Sequence, residues 1–242
     1  MRLIWRFIRK DYPCDSKDWL LMIEIISIHI PKTAGTSFYH LLQQEYGRSL
    51  SISYRRKDVV AVLTDGEIPT TTLPIGCRVL HGHFYYSEVQ PIHQQQRAKL
   101  ICWLRDPVER VISNYHFFRA GLIDPDRNPA VYDQNKHRIQ ETLLTFAARP
   151  ENRNRIATFL AGMPIDDFYF VGRVEHFAAD VKKLGQLLDW QTHPLPLLLN
   201  QKDQRLAPAS VREQEKQAIA ELNALDLQIH QQLLARYHPN AS

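Results

Sequence analysis

Three cysteines, Cys14, Cys77 and Cys102, stand far apart in a chain of 242 residues, and none belongs to a CxxC pair. An odd count without paired spacing argues against a disulfide framework and against a structural zinc site, and it suits a reducing compartment. Cys102 falls inside an apolar run and reads as a buried, inert thiol. No stretch reaches the roughly 18 apolar residues that a membrane-spanning helix requires. The nearest, 19–30, is shorter and carries Glu24 and His29. Glycine and proline are too few, 9 and 14, for a collagen-like or low-complexity chain. Neither an internal repeat nor a linker rich in Gly and Ser divides the sequence. An excess of one charge is also nearly missing, since 30 Lys and Arg against 26 Asp and Glu leave +4. That balance accommodates an anionic ligand but is thin for a nucleic-acid binder, and no basic stripe interleaved with aromatics is present, so no nucleic-acid partner is expected.

What is present is ordinary globular composition, with 44% hydrophobic and 23% charged residues. The length suits one domain, placed at 22–238. Residues 1–21 hold Arg2, Arg6, Arg9 and Lys10 among Ile4, Trp5, Phe7 and Ile8. They lack the apolar core and cleavage site of a signal peptide. A loosely ordered extension is expected there, with Met22 as an alternative start; the alternative is a basic amphipathic helix lying on a membrane or on the domain. With no membrane anchor in view, the expected location is cytoplasmic, a peripheral tether through residues 1–21 being the other option.

Short apolar runs alternate with amphipathic segments, the signature of an α/β domain, three-layered, around a central, mostly parallel sheet. Strands are expected at 22–30, 77–80, 100–104 and 168–171. Helices are expected at 35–46, from Pro107 with Gly121 as its stop, at about 136–148 and 153–161, and over 175–188. Asp106, Pro107 and Glu109 spell the N-cap, first position and capping-box acid of the second helix. Residues 122–134 read as a surface loop. Ser210 and Glu213 suggest another capping box before a long terminal helix whose buried stripe is Ile219, Leu222, Leu225, Ile229 and Leu233.

The most informative stretch is His29-Ile-Pro-Lys-Thr-Ala-Gly-Thr-Ser37, between a buried strand and a helix. Unpaired amides and the positive end of the helix dipole favour an anion at such a junction. Gly35 removes a Cβ that would block close approach, Thr36 and Ser37 add hydroxyls, and Lys32 adds a charge. The loop departs from a Walker A motif, because its first glycine is missing and Thr36 stands at the lysine position. A second strand-to-helix junction, Leu104-Arg-Asp-Pro-Val-Glu-Arg-Val-Ile-Ser-Asn-Tyr115, places Arg105 at a strand's carboxyl end and Ser113 two turns into the helix. Taken singly, Arg105 reads equally as a partner of Asp106 or Glu109, and Ser113 as an ordinary helix serine. Converging, they make a compact phosphate site.

Together, Lys-Thr-Ala-Gly-Thr-Ser and Leu-Arg-Asp-Pro-x-x-Arg-x-x-Ser resemble the carbohydrate sulfotransferases, especially the heparan 2-O and 6-O enzymes and their bacterial relatives. Phe170-Val-Gly-Arg-Val-Glu-His-Phe177 is similar to a further family segment, and Asn200 and Leu222–Ile229 resemble its closing elements. The resemblance implies a P-loop-like sulfotransferase fold and 3′-phosphoadenosine 5′-phosphosulfate as donor, with no metal required. It assigns the donor's 5′ end to Lys32, Thr33, Ala34, Gly35, Thr36 and Ser37, its 3′-phosphate to Arg105 and Ser113, and charge neutralisation on the leaving oxygen to Lys32. It also implies a carbohydrate or polysaccharide acceptor and a histidine base. His83 of His81-Gly-His83 is the better match for that base, with His81 orienting it or contacting the acceptor; imidazole suits the task because its pKa lies near neutrality. HxH is also a metal pair in principle, but no third ligand stands at a telling spacing. Lesser candidates are Lys202 near the donor, Arg119 and Arg127 toward an anionic acceptor, His29 as a packed core histidine, and Trp103 as core in preference to an adenine platform. Two other readings stay open: a non-catalytic domain that binds a nucleotide or glycan on the same fold, and a P-loop phosphotransferase.

Overall fold

The computed structural model describes residues 22–53, 76–127, 129–191 and 211–239. Residues 1–21, Asn200, Lys202 and Ser210 lie outside the described residues. Five strands, β1 (Ile25–Ile28), β2 (Leu50–Ser53), β3 (Val79–Gly82), β4 (Lys99–Leu104) and β5 (Phe168–Arg173), form one sheet in the order β2-β3-β1-β4-β5. All of its pairings are parallel. The chain leaves β1 toward β3 on one side and later returns to β4 on the other. β1 is therefore the topological switch, and the carboxyl ends of β1, β3 and β4 frame the crevice where ligands collect in open α/β sheets.

Nine helices are described: α1 (Gly35–Tyr46), α2 (Tyr86–Gln96), α3 (Pro107–Ile123), α4 (Pro129–Asn135), α5 (Leu143–Ala148), α6 (Arg155–Phe159), α7 (Phe177–Leu187), α8 (Glu213–Leu222) and α9 (Ala224–Tyr237). Period-2 alternation sorts the strand side chains between two cores. Ile25, Val79, Ile101 and Trp103 face α1 and α7, meeting Phe38, Leu42, Phe177 and Leu184. Ile26, Ile28, Leu80 and Cys102 face the other way, onto α2, α6 and α9 through Val89, Ile92, Phe159 and Leu233. The result is the three-layer α/β architecture anticipated from the sequence. No helix among the described residues is long and apolar enough to cross a membrane.

Several local expectations are corrected. Helix α3 runs through the buried Gly121 and stops at Asp124, ahead of Pro125. Packing tolerates the glycine, whereas the residue before proline is driven out of the helical region. Residues 122–134 hold the end of α3, a 3-10 turn and most of α4 in place of a loop. The helices expected at 136–148 and 153–161 shrink to α5 and α6. Asp106 caps Glu109 N–H at 3.0 Å as expected, but Asp106 N–H donates to Glu175 across the sheet edge, so the reciprocal half of the box comes from another element. The terminal helix breaks at Asn223 into α8 and α9, and Leu225 is 54% exposed. Strand β2 carries no sequence signal, and the second expected strand is displaced by two residues, which carries His81 into β3.

A buried polar knot fixes α9 to the site side of the molecule. Arg110 and Asp226 are both without solvent exposure, 3.9 Å apart. Arg110 donates to the Asn152 carbonyl at 3.1 Å, and Asp226 accepts from Ile156 N–H and Ala157 N–H at 3.1 and 2.8 Å, capping the first turn of α6 from a different helix. Removing one partner strands the other charge away from water. Asp226→Ala is expected to lower the unfolding free energy in urea by about 3 kcal/mol, and replacing both partners with apolar residues is expected to recover most of that loss. An equal loss in the double variant would mean that the cap on α6, and not the charge pair, carries the stability.

Candidate active site

The turn from β1 into α1 is strained in a particular way. Lys32 and Ala34 both adopt the left-handed region, at φ 73° and 61°, a conformation that costs non-glycine residues of order 1–3 kcal/mol each. Thr33 holds the turn: its hydroxyl and its N–H both donate to the Ile30 carbonyl, at 2.8 and 3.3 Å. Thr33 is fully buried, so its hydroxyl shapes the loop. Ala34 is the N-cap of α1 and offers no side-chain acceptor, and the first turn contains no acid. A left-handed residue followed by a helical one turns consecutive amides into a concavity suited to an anion. Thr36 is exposed at this mouth and Ser37 is buried beneath it.

Positive charge converges here. The Lys32 ammonium lies 4.1 Å over the ring of Phe117. Burial, then the charges of Arg105 and Arg127, hold its pKa down to about 8. Arg105 extends from the end of β4 and Ser113 is half-buried on α3. Among the described residues Lys32 and Arg105 form no ion pair with a carboxylate, and the pairing of Arg105 with Asp106 or Glu109 is not made. Two neighbouring cations, Lys32 and Arg105, with no ion-pair partner among the described residues are relieved by a multivalent anion. Arg119 instead bonds the Tyr115 hydroxyl at 3.4 Å on its own helix.

Behind the loop, three imidazoles form a column. His29 stacks on His83 with centroids 4.5 Å apart and on His81 at 5.4 Å, with interplanar angles of 22° and 11°. Parallel strands in register explain it: Ser27 pairs with His81, and His29 N–H donates to the Gly82 carbonyl at 2.7 Å. Residues 27, 29 and 81 therefore share the α1 face, and His83, one residue past the end of β3, stacks on His29 and meets the Phe159 ring of α6 edge-on. His81 Nδ1 is 2.9 Å from Ser27 Oγ, and His83 Nδ1 is 2.9 Å from the His29 carbonyl. A carbonyl only accepts, so neutral His83 carries its proton on Nδ1 and its lone pair on Nε2. Burial pushes all three below the ordinary histidine value, His81 to about 3. His83 is partly raised by its bond to His29 and lowered further by Arg155. His81 is 1% exposed. Contact with an acceptor is closed to it, and what remains is support of the column from below.

Gly35 has a reason that the sequence did not disclose. A Cβ there would lie 1.9–2.2 Å from the His29 ring atoms, so the anion loop packs directly on the middle of the column. Trp103 is buried in the core, closed over by Gly172, and Cys102 is buried with its thiol pushed far up. Phe117 carries no signal in the sequence. It is 47% exposed, one turn beyond Ser113, and lies outside the apolar stripe of α3. Rings stacked face to face do not aim nitrogens at one point, and among the described residues no three His, Cys, Asp or Glu side chains gather as a metal site.

Several known proteins are similar to this chain. Heparan sulfate 2-O-sulfotransferase 1 from Mus musculus is 30% identical over 121 residues, covering 47% of this chain and 33% of that protein. The Gallus gallus protein of the same name is 29% identical over the same span. The chain thus spans about a third of the length of these curated relatives. A solved sulfotransferase from Alicyclobacillus acidocaldarius aligns with 90% of this chain and 97% of its own at 16% identity, TM-score 0.49. A mouse sulfotransferase complexed with PAP aligns with 86% of this chain and 66% of its own at 12% identity, TM-score 0.46. The sulfotransferase domain model matches residues 28–154, just over half of the sequence and the stretch that contains the anion loop, the histidine column and Arg105; the chain belongs to the sulfotransferase domain family.

Proposed function

We propose that this domain transfers a sulfuryl group from 3′-phosphoadenosine 5′-phosphosulfate to a hydroxyl of a carbohydrate acceptor, with His83 as base. The observation that carries the reading is a pairing: a cationic, acid-free strand-to-helix loop packed through Gly35 and His29 against an imidazole pinned in its Nδ1-protonated form. The donor set fits a nucleotide with anions at two ends. Lys32 and the first-turn amides of α1 serve one, and Arg105 with Ser113, on the β4 side, serves the other. Names of the curated relatives favour a saccharide acceptor.

The donor supplies an activated sulfur whose bond to a phosphate oxygen breaks as its bond to the acceptor oxygen forms. His83 Nε2 takes the proton of that acceptor hydroxyl, and the Nδ1–H bond to the His29 carbonyl holds the resulting imidazolium. Lys32 offsets the charge left on the phosphate oxygen, the place where a preformed cation contributes most. Thr33 keeps the loop's shape.

Calorimetric titration with 3′-phosphoadenosine 5′-phosphate, with and without magnesium and beside ATP, tests the reading. Binding independent of magnesium is expected, and Arg105→Ala is expected to weaken it about 10- to 100-fold, the worth of a charge-assisted hydrogen bond. Magnesium-dependent binding of ATP alone would overturn the sulfotransferase reading in favour of a phosphotransferase. Binding of the nucleotide with no turnover on any saccharide would leave a non-catalytic binding domain.

A further inference from the structure

His29 enters the chemistry above only through its backbone carbonyl, yet its ring is held from several sides. Its N–H is tied to the Gly82 carbonyl at 2.7 Å, so the pairing of β1 with β3 fixes where the side chain starts. Gly35 closes over the ring so tightly that a Cβ there would lie 1.9–2.2 Å from its atoms. His83 stacks on it with centroids 4.5 Å apart and planes 22° apart, and His81 at 5.4 Å and 11°. One residue therefore grips the proposed base twice. The His29 carbonyl takes the Nδ1–H of His83 at 2.9 Å, and the His29 ring lies along the plane of the same imidazole. A hydrogen bond at Nδ1 alone leaves a ring free to swing about that bond. The stack, with the edge-on contact to Phe159 at 6.3 Å, removes the freedom and fixes the direction of Nε2.

The stack also bears on charge. Two imidazoles in face contact do not both hold a second proton, because the later charge meets the earlier one. His29 is the ring kept neutral: burial, then His81, His83 and Lys32, hold it well below the ordinary histidine value. His83 has the carbonyl bond that favours its charged form. When His83 takes the proton of the acceptor hydroxyl, the new imidazolium lies against a neutral aromatic face, and such a face attracts a cation set over it. We propose that the His29 side chain is a positioning residue for the reaction, its ring setting the plane of the base and stabilising the imidazolium that forms there. The inference rests on the reading of His83 as base, and it gives the middle of the column a part in turnover beside its part in packing.

The charged and titratable groups facing the pair are His81, Lys32 on the loop side of His29, Arg155 from α6, and Tyr85 at the N-cap of α2. All of them stay when His29 alone is changed, so a shift in His83 reports the ring. The test compares His29→Leu, His29→Gln and His29→Phe in the full chain. Proton–carbon NMR follows the His83 ring through a pH titration, and kcat is measured with 3′-phosphoadenosine 5′-phosphosulfate on desulfated heparan sulfate. In His29→Leu and His29→Gln the protonated form of His83 loses its aromatic face. Its pKa is therefore expected to fall, the acidic limb of kcat/KM to move to lower pH with it, and kcat to drop about 3- to 30-fold. His29→Phe keeps a face while being as apolar as leucine, and it is expected to restore all three. A fall in His29→Leu that is missing from His29→Gln would assign the effect to lost polarity and overturn the proposal, whether or not phenylalanine fits beneath Gly35. An unmoved or raised His83 pKa in both would overturn it as well and leave the ring as packing. The NMR arm needs no acceptor, so it judges the stack by itself. Titration of the unaltered protein with 3′-phosphoadenosine 5′-phosphate judges the underlying reading, which fails if that nucleotide does not bind.

Discussion

Replacing His83 by alanine is expected to lower kcat by about 10²- to 10⁴-fold, the usual worth of a positioned base, while the affinity for 3′-phosphoadenosine 5′-phosphate stays within twofold of the unaltered protein. The separation follows from the sheet order. His83 extends beyond β3 on one side of β1, and Arg105 extends from β4 on the other, so removing the imidazole takes nothing from the donor anchors. The pH profile supplies an independent check. A base works when deprotonated, so activity rises with pH through its pKa; burial and Arg155 lower that pKa from its ordinary 6.5. The acidic limb of kcat/KM should therefore lie below pH 6.5, with a level profile across neutrality, and it should vanish in His83→Ala. A limb that persists in the variant would move the base elsewhere. Loss of nucleotide affinity would show that His83 holds the loop as much as it moves a proton.

Much of this architecture is legible in the residues themselves. Runs such as Leu100–Leu104 are continuously apolar because a central parallel strand is covered on both faces, and α1 is marked to the residue by Gly35 and by Phe38, Leu41 and Leu42. The Lys32 loop and the Arg105 junction are readable because their chemistry is local: each anion site is made within a few residues of one strand end. Three features are not readable, for related reasons. Strand β2 is four residues with two serines, held by pairing to β3 and by little of its own. The histidine column depends on β1 and β3 lying in register, which relates residues 54 apart. The knot of Arg110, Asp226 and Asn152 joins three segments, so the second arginine of the Arg105–Ser113 motif looks like one more helix charge until α9 is docked. His81 shows the commonest cost of such blindness. A two-residue displacement of the strand boundary turns a residue expected at the open edge into a buried one.

Gly35 brings the local and non-local parts together, and its substitution separates two explanations of the same glycine. Local chemistry assigns it a role toward the anion, where a Cβ would keep a phosphate from the backbone. The geometry assigns it one toward His29, whose ring atoms lie 1.9–2.2 Å from where that Cβ would be. His29 has nowhere to retreat, because His81 and His83 stack on its two faces and its own N–H is tied to Gly82. The added methyl must lift the loop or push the column, and displacements near 1 Å in a reacting constellation cost about 10²-fold in rate. Gly35→Ala is therefore expected to lower kcat by about 10²-fold and stability by about 1–3 kcal/mol, as overpacking does. The double variant Gly35→Ala/His29→Ala decides between the explanations. His29→Ala empties the space that the methyl needs and keeps the backbone carbonyl that holds His83 Nδ1. If the clash is the cause, the double variant regains stability and part of kcat, a coupling that neighbouring sites in contact show and independent sites do not. If Gly35 acts on the anion alone, the losses add, and nucleotide affinity falls as far in the double variant as in the single one.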